Sequence, residues 1–166
     1  MTLTRPEADV AARTGSSRRS FFPRVTVATV VEHEGRFLFV EEVIKGQTVL
    51  NQPAGHLDPG ESLAEAAVRE TLEETAWTVQ LTGLIGIYQY DAPDDRHFVR
   101  TTFAARVLGH DPRRRLDRGI VRALWLSRDE LLRHATPRRS PMVLRCLDDY
   151  AAGQQLPLAA AVRVLE

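Results

Sequence analysis

Apolar and polar positions change rhythm several times along the 166 residues, and each change marks an element. Residues 25–31, VTVATVV, are a run dense in β-branched side chains, and FLFV follows at 37–40 after the break Glu34-Gly35. Branched side chains suit a pleated surface, and a polar residue with glycine turns the chain back, so the spacing predicts a hairpin. TVLNQ at 48–52 reads as a short extended segment. LIGIYQYD at 84–91 and HFVRTTFAARV at 97–107 read as strands about the turn Ala92-Pro93-Asp94-Asp95, and VRALWL at 121–126 as the last strand.

A helical period takes over after Pro59-Gly60. Ser62 with Glu65 three residues later has the spacing of a capping box, in which each side chain satisfies a backbone N–H of the other, and this predicts a helix from Leu63 to Thr75. Ser127 with Glu130 repeats the signal ahead of ELLRHA, and Ser140-Pro141 opens another helix that stops near Gly153. The order is strands, helix, strands, helices, without repeat or linker, and it predicts one mixed α/β domain over 21–158. Residues 159–166 read as a C-terminal tail. Residues 1–20 carry no apolar stripe and read as a mobile leader; Glu7 and Asp9 among its arginines argue against an organelle-targeting peptide. Deleting residues 1–20 is therefore expected to leave turnover and thermal midpoint nearly unchanged, and a large fall in the midpoint on truncation would make the leader structural.

Composition narrows the class. Hydrophobic residues at 43% and charged residues at 27% are ordinary for a globular domain, and this length can bury about two thirds of the unfolded chain's surface. Lys plus Arg and Asp plus Glu are 22 each, so no basic excess draws in a nucleic-acid polymer or an anionic membrane. A polyanionic small molecule must then be met by a local site. Cys146 is the single cysteine and cannot form an internal disulfide; with Leu144 and Leu147 around it, it reads as a small apolar side chain in a helix, which fits the cytoplasm.

The chemistry is concentrated on the 63–75 helix. Glu70, Glu73 and Glu74 stand at i, i+3 and i+4, so one face gathers three carboxylates while Ala64, Val68, Thr71 and Thr75 point away to pack. Three like charges this close repel, and a hard divalent cation such as Mg²⁺ or Mn²⁺, which prefers oxygen ligands, is the natural compensator. A merely solvated acidic face would need neither the preceding Gly-rich turn nor Arg69, which is four residues from both Glu65 and Glu73 and can fix carboxylate rotamers.

The stretch 55–77, GHLDPGESLAEAAVRETLEETAW, resembles the Nudix box, G-x5-E-x7-R-E-U-x-E-E-x-G-U with U a bulky apolar residue; Gly55, Glu61, Arg69, Glu70, Glu73 and Glu74 fall on its defining positions. Two positions depart from it: Thr71 replaces an aliphatic residue, and Ala76 replaces the glycine that supplies a left-handed helix end. VTVATVV, NQPAGHL at 51–57, YQYDAP at 88–93 and RSP at 139–141 are similar to one subgroup, the NudJ-like phosphatases.

The resemblance implies an α/β/α sandwich with a mixed central sheet. It further implies a divalent-metal-dependent hydrolase of nucleoside tri- and diphosphates or thiamine-pathway pyrimidine diphosphates, releasing phosphate. Glu70, Glu73 and Glu74 would bind metal or activate water, the backbone carbonyl of Gly55 would complete the metal site, and Glu61 and Arg69 would orient the carboxylates. The expected partner is a small di- or triphosphate, with the chain a monomer or homodimer. An ADP-ribose or dinucleoside polyphosphate pyrophosphatase is the rival within the family, and a non-catalytic metabolite sensor the rival outside catalysis; retention of every box acid favours the enzyme.

Substrate contacts are read from the residues alone. Tyr88 and Tyr90 alternate onto one strand face and either stack on a base or simply pack; Arg100 can reach phosphate; His56, next to Gly55, touches phosphate or holds structure. The arginines at 113–115 and 138–139 read as solvated loop charges in preference to a phosphate site, and the remaining histidines lack metal-ligand spacing. For an additional late acid the chain offers Asp117, and a helix carboxylate is preferred to it as base.

Overall fold

The computed structural model describes residues 21–165; the leader expected at 1–20 lies outside them. Seven strands form one sheet: β1 (Arg24–His33), β2 (Arg36–Ile44), β3 (Gln47–Asn51), β4 (Ala54–His56), β5 (Trp77–Asp91), β6 (His97–His110) and β7 (Ile120–Leu126). The helices are α1 (Leu63–Thr75), α2 (Arg128–Arg133) and α3 (Met142–Ala151). The order β3-β2-β1-β6-β5 is mixed, because β1 runs parallel to β6 and the other pairings are antiparallel.

The predicted hairpin is real only at its closed end, where Glu32 faces Phe37 and His33 faces Arg36. Beyond that the strands splay. β1 passes between β4 and β6, and β2 passes between β3 and β7. Thr26–Val31 is a continuous buried run, as expected of a strand covered on both faces rather than one.

Two layers of helix cover the sheet. Val27, Leu84 and Phe103 pack against Ala66 and Ala67 of α1. On the other face Val30, Phe39, Leu50, Ile85 and Ala104 pack against Val143, Cys146 and Leu147 of α3 and Leu131 of α2. This is the α/β/α sandwich that the family resemblance implies. Cys146 is fully buried and free, with its sulfur 3.4 Å from the Thr102 hydroxyl.

Both departures from the box have a structural answer. Thr71 is fully buried, its Oγ1 donates to the Ala67 carbonyl at 2.7 Å, and the Thr29 hydroxyl at 2.8 Å must then donate to it. A threonine on β1 thus satisfies the hydroxyl that replaces an aliphatic side chain. Ala76 adopts the left-handed conformation, φ 60° and ψ 12°, donating to the Leu72 carbonyl and accepting from Asp111 N–H. Thr75 Oγ1 adds a bond from Trp77 N–H. These bonds hold an L side chain where glycine is at ease, at a cost of about 1 kcal/mol. Ala76→Gly is expected to stabilise the fold by about 0.5–1 kcal/mol, read as a rise of a few degrees in thermal midpoint; an unchanged or lower midpoint would show that the buried methyl outweighs the strain.

β5 begins at Trp77, directly after the helix, seven residues earlier than the strand read from position 84. Bulges at Leu81/Gly83 and Leu84/Gly86 interrupt its alternation, so no clean period of two marks the first half. Trp77 is held by stacking on His110 and an edge contact with Trp125. Past Ala151 the chain returns along β5, where Leu156 pairs with Leu84; it forms a 3₁₀ turn at Leu158–Ala160, and Ala161 packs against the α1 side of the core. This is where the residues expected as a tail are found.

Candidate active site

The capping box at the start of α1 forms as read: Ser62 accepts from Glu65 N–H, and Glu65 accepts from Ser62 N–H. Glu65 is thereby occupied and does not meet Arg69. The Arg69 partners are others. Its Nε and Nη2 donate to both oxygens of Glu61 at 2.9 and 2.7 Å, Nη1 donates to Glu70 at 2.8 Å and Glu73 at 3.0 Å, and Nη2 reaches the His56 carbonyl at 3.1 Å. One planar guanidinium therefore ties the loop before the helix, the short β4 and two helix acids into a single unit, a geometry lysine lacks. The bonds from Arg69 hold the Glu61 carboxyl below its ordinary range.

β4 brings the backbone against these acids. A Cβ built on Gly55 would lie 2.0 Å from the Glu70 carboxyl carbon, so only glycine lets that carboxylate rest over the chain here. Glu74 accepts from Ala54 N–H at 2.8 Å and is nine-tenths buried. Burial raises Glu70 despite the bond from Arg69, and raises Glu74 to about 8, where the Ala54 N–H offsets only part of the lost hydration and the neighbouring Glu42 and Glu70 add to the rise. Such carboxylates, one of them resting over the Gly55 backbone, are a hard-oxygen donor set that a divalent cation fits. Among the described residues no three acidic or histidine side chains already close into a cage. A Mg²⁺-like ion does not need one, since it ordinarily takes one or two carboxylates and leaves other positions to water and substrate phosphate.

Glu70, Glu74, Gly55 and His56 line one cleft of about 580 Å³, together with Tyr90 and Arg100. Arg69 and Glu61 stand behind the acids, and Glu73, bonded to Arg69, also lies outside the lining. The cleft wall carries Tyr90 and Phe98 with stacked rings 6.3 Å apart, and Arg96 lies over Phe98. Arg100, on β6, is 5% exposed, and its Nε and Nη1 have no hydrogen-bond partner. Burial lowers its pKa, and Glu42 and Glu74 only partly offset this.

Not every sequence candidate gathers here. Tyr88 is absent from the cleft: its hydroxyl donates to Asp149 at 2.9 Å, and its ring packs in the α3 cluster beside Tyr90 and borders a neighbouring depression that Tyr90 also lines. Of the two alternatives for the tyrosines, packing describes Tyr88, and the cleft receives Tyr90. Asp117 lies at the far end of α1, where its N–H donates to the Glu73 carbonyl, and does not line the cleft. His56 sits exposed at the mouth, its pKa lowered first by partial burial and then by Arg24 and Arg139, so its imidazole is neutral near pH 7.

The reading of residues 138–139 as solvated charges requires correction. Arg139 lines the cleft and donates to the buried Glu42 at 2.5 Å, because the chain before α3 is drawn in beside β3, where Arg139 N–H meets the Leu50 carbonyl. Glu42, Asn51, Thr26 and Ser140 also line the cleft and had not been singled out. The one signal available was the strings NQPAGHL and RSP, whose side-chain directions the sequence does not reveal.

A sheet with helices on both faces, an arginine-braced acid helix and a glycine that admits a carboxylate define the class. Residues 21–146 match the NUDIX domain, and the chain belongs to that family as a Nudix hydrolase. It is 44% identical over 138 residues to Phosphatase NudJ of Escherichia coli (strain K12), covering 83% of this chain and 90% of the relative, and equally similar to Phosphatase NudJ of Shigella boydii serotype 4 (strain Sb227). A NUDIX hydrolase from Nitrosomonas europaea matches at TM-score 0.83 and 43% identity over 86% of this chain and 98% of that one. A UDP-X diphosphatase at 16% identity and TM-score 0.67, covering 82% of this chain and 67% of that one, shares the fold.

Proposed function

We propose that this Nudix hydrolase cleaves phosphoric anhydrides in small nucleoside or pyrimidine di- and triphosphates and releases orthophosphate. Nudix hydrolases generally need a divalent metal, here Mg²⁺ or Mn²⁺. Glu70, Glu73 and Glu74 with the Gly55 carbonyl would hold it. When bound, the ion supplies charge neutralisation at the phosphoryl oxygens and lowers the pKa of water. The observation that carries this reading is that buried acids and an unpartnered, buried Arg100 face one cleft: the first set suits a cation and the second an anion, and a metal–phosphate pair is both.

Each side chain then has a part. Arg69 and Glu61 keep Glu70 and Glu73 in fixed rotamers, so the acids need not reorganise as charge develops. Arg100 donates to phosphoryl oxygens from a site poor in water, where such bonds are strongest. Tyr90 and Phe98 offer a face for a ring without selecting its identity. The curated relatives named Phosphatase NudJ support loss of a terminal phosphate over cleavage within an internal diphosphate. A cytoplasmic setting fits the free, buried Cys146.

The test is a phosphate-release screen with Mg²⁺ over nucleoside tri- and diphosphates, pyrimidine diphosphates, nucleotide sugars and ADP-ribose. The expected outcome is orthophosphate from several compact di- and triphosphates and loss of release on chelation. A tenfold or greater preference for ADP-ribose would overturn the substrate class while leaving the hydrolase chemistry in place.

A further inference from the structure

Six side-chain atoms among the described residues are buried without a hydrogen-bond partner: Thr26 Oγ1, Asn51 Oδ1, Gln52 Oε1, Arg100 Nε and Nη1, and Ser140 Oγ. All but the Gln52 oxygen belong to residues lining the cleft. An orphaned buried polar atom costs about 1–3 kcal/mol, so this clustering marks groups waiting for a ligand. Hydroxyls can donate or accept, and a guanidinium can only donate. Asn51 is the informative one, because an amide has two ends and here its orientation is determined.

Asn51 ends β3, opposite Val40 of β2, and is 1% exposed. Its Nδ2 donates to Glu42 Oε1 at 3.2 Å, while the other Glu42 oxygen accepts from Arg139 Nη1 at 2.5 Å. A carboxylate paired with an arginine accepts and cannot donate. The Asn51 amide therefore cannot flip without setting its carbonyl oxygen against an anion. The Arg139–Glu42–Asn51 chain leaves Oδ1 as a bare, fixed acceptor at a residue lining the cleft.

We infer that Asn51 is a specificity-determining residue that accepts a hydrogen bond from an N–H or O–H donor on the organic part of the substrate. The inference rests on the proposed use of the cleft for a small organic phosphate. Phosphoryl oxygens are largely deprotonated at neutral pH and, on a metal, more so, so the partner of Oδ1 is the nucleoside-like moiety, through a ring amine or a sugar hydroxyl. A site built to bond such a donor rejects the analogue that lacks it more strongly than an apolar pocket rejects a change of size. Glu42 and Arg139 act through Asn51 and position it.

The closing experiment uses matched pairs that differ in one donor: ATP with purine riboside triphosphate and CTP with 2-pyrimidinone riboside triphosphate, which lack only the exocyclic amine, and ribo- with 2′-deoxy- and 3′-deoxynucleotides for the hydroxyls. kcat/KM is measured for each pair, and calorimetry gives the binding of the corresponding monophosphates, which contain no anhydride to cleave. Wild-type protein is expected to favour the donor-bearing member of at least one pair by about tenfold or more, in turnover and in binding. Asn51→Leu should bring that ratio within about twofold. Glu42→Gln offers a side chain that can donate, which frees the Asn51 amide to turn, so the ratio should fall or reverse while Asn51 itself is retained. Equal turnover and binding of all pairs, no binding of any nucleotide, or an Asn51→Leu defect identical for every substrate would overturn the acceptor role. Donor-selective binding without any hydrolysis would support the acceptor and overturn the hydrolase reading instead.

Discussion

Glu74→Gln is expected to lower kcat about a thousandfold in Mg²⁺ while leaving the thermal midpoint unchanged or higher. Glutamine keeps the shape and an oxygen that accepts from Ala54 N–H, the 2.8 Å bond that anchors this side chain. It lacks the charge. Loss of a charged oxygen ligand to the metal is worth several kcal/mol in the transition state, and a thousandfold is about 4 kcal/mol. The fold should not suffer, because an acid this deeply buried is itself costly in metal-free protein. Glu73→Gln should show a similar loss of turnover, although its carboxylate is braced by Arg69 rather than buried. Turnover within about threefold of wild type in both variants would remove the helix acids from the chemistry.

Arg100→Met is expected to separate activity from stability in the same way, from the opposite charge. Removing one buried donor aimed at a developing anion costs about 10²–10³ in rate in comparable sites. Methionine has nearly the volume of the aliphatic part of arginine and replaces an unpartnered buried cation with an apolar group, so the metal-free fold should be at least as stable. Arg100→Lys should not restore the rate, since a point charge cannot present the planar fork. The readings are kcat/KM for a nucleoside triphosphate and thermal midpoint without ligand. A fall in midpoint of several degrees together with a small change in rate would make Arg100 a structural residue.

Much of this site was legible because α1 is local. Caps, acid spacing and the turn at Pro59-Gly60 act within a few residues, so Ser62, Glu65, Glu70, Glu73 and Glu74 could be placed from their order alone, and the helix spans Leu63–Thr75 as the capping signal predicts. Arg69 was assigned to bracing carboxylates, and its true partners include Glu61, eight residues back, reached because the loop folds over the first helical turn. Tyr88 shows the limit. Alternation puts it with Tyr90 on one face, and both rings pack in the same cluster and border the same depression, yet only Tyr90 also reaches the cleft, while the Tyr88 hydroxyl is drawn to Asp149 of α3.

By itself, then, the sequence determined the class of fold and the acid helix, since each follows from period, capping or a spacing within one element, whereas Gly55 is legible only by its place in the box and its need becomes plain only where Glu70 comes to rest over it. Tertiary structure alone decided which distant side chains share the cleft. Glu42, Asn51, Arg100 and Arg139 come from three strands and the segment before α3, and their meeting depends on the splayed β1–β2 hairpin and the parallel pairing of β1 with β6. Pairing between segments far apart in the chain is set by which faces must be buried together. No local pattern encodes that choice, and so the polarity of the Asn51 amide becomes visible only once β2, β3 and Arg139 are in place.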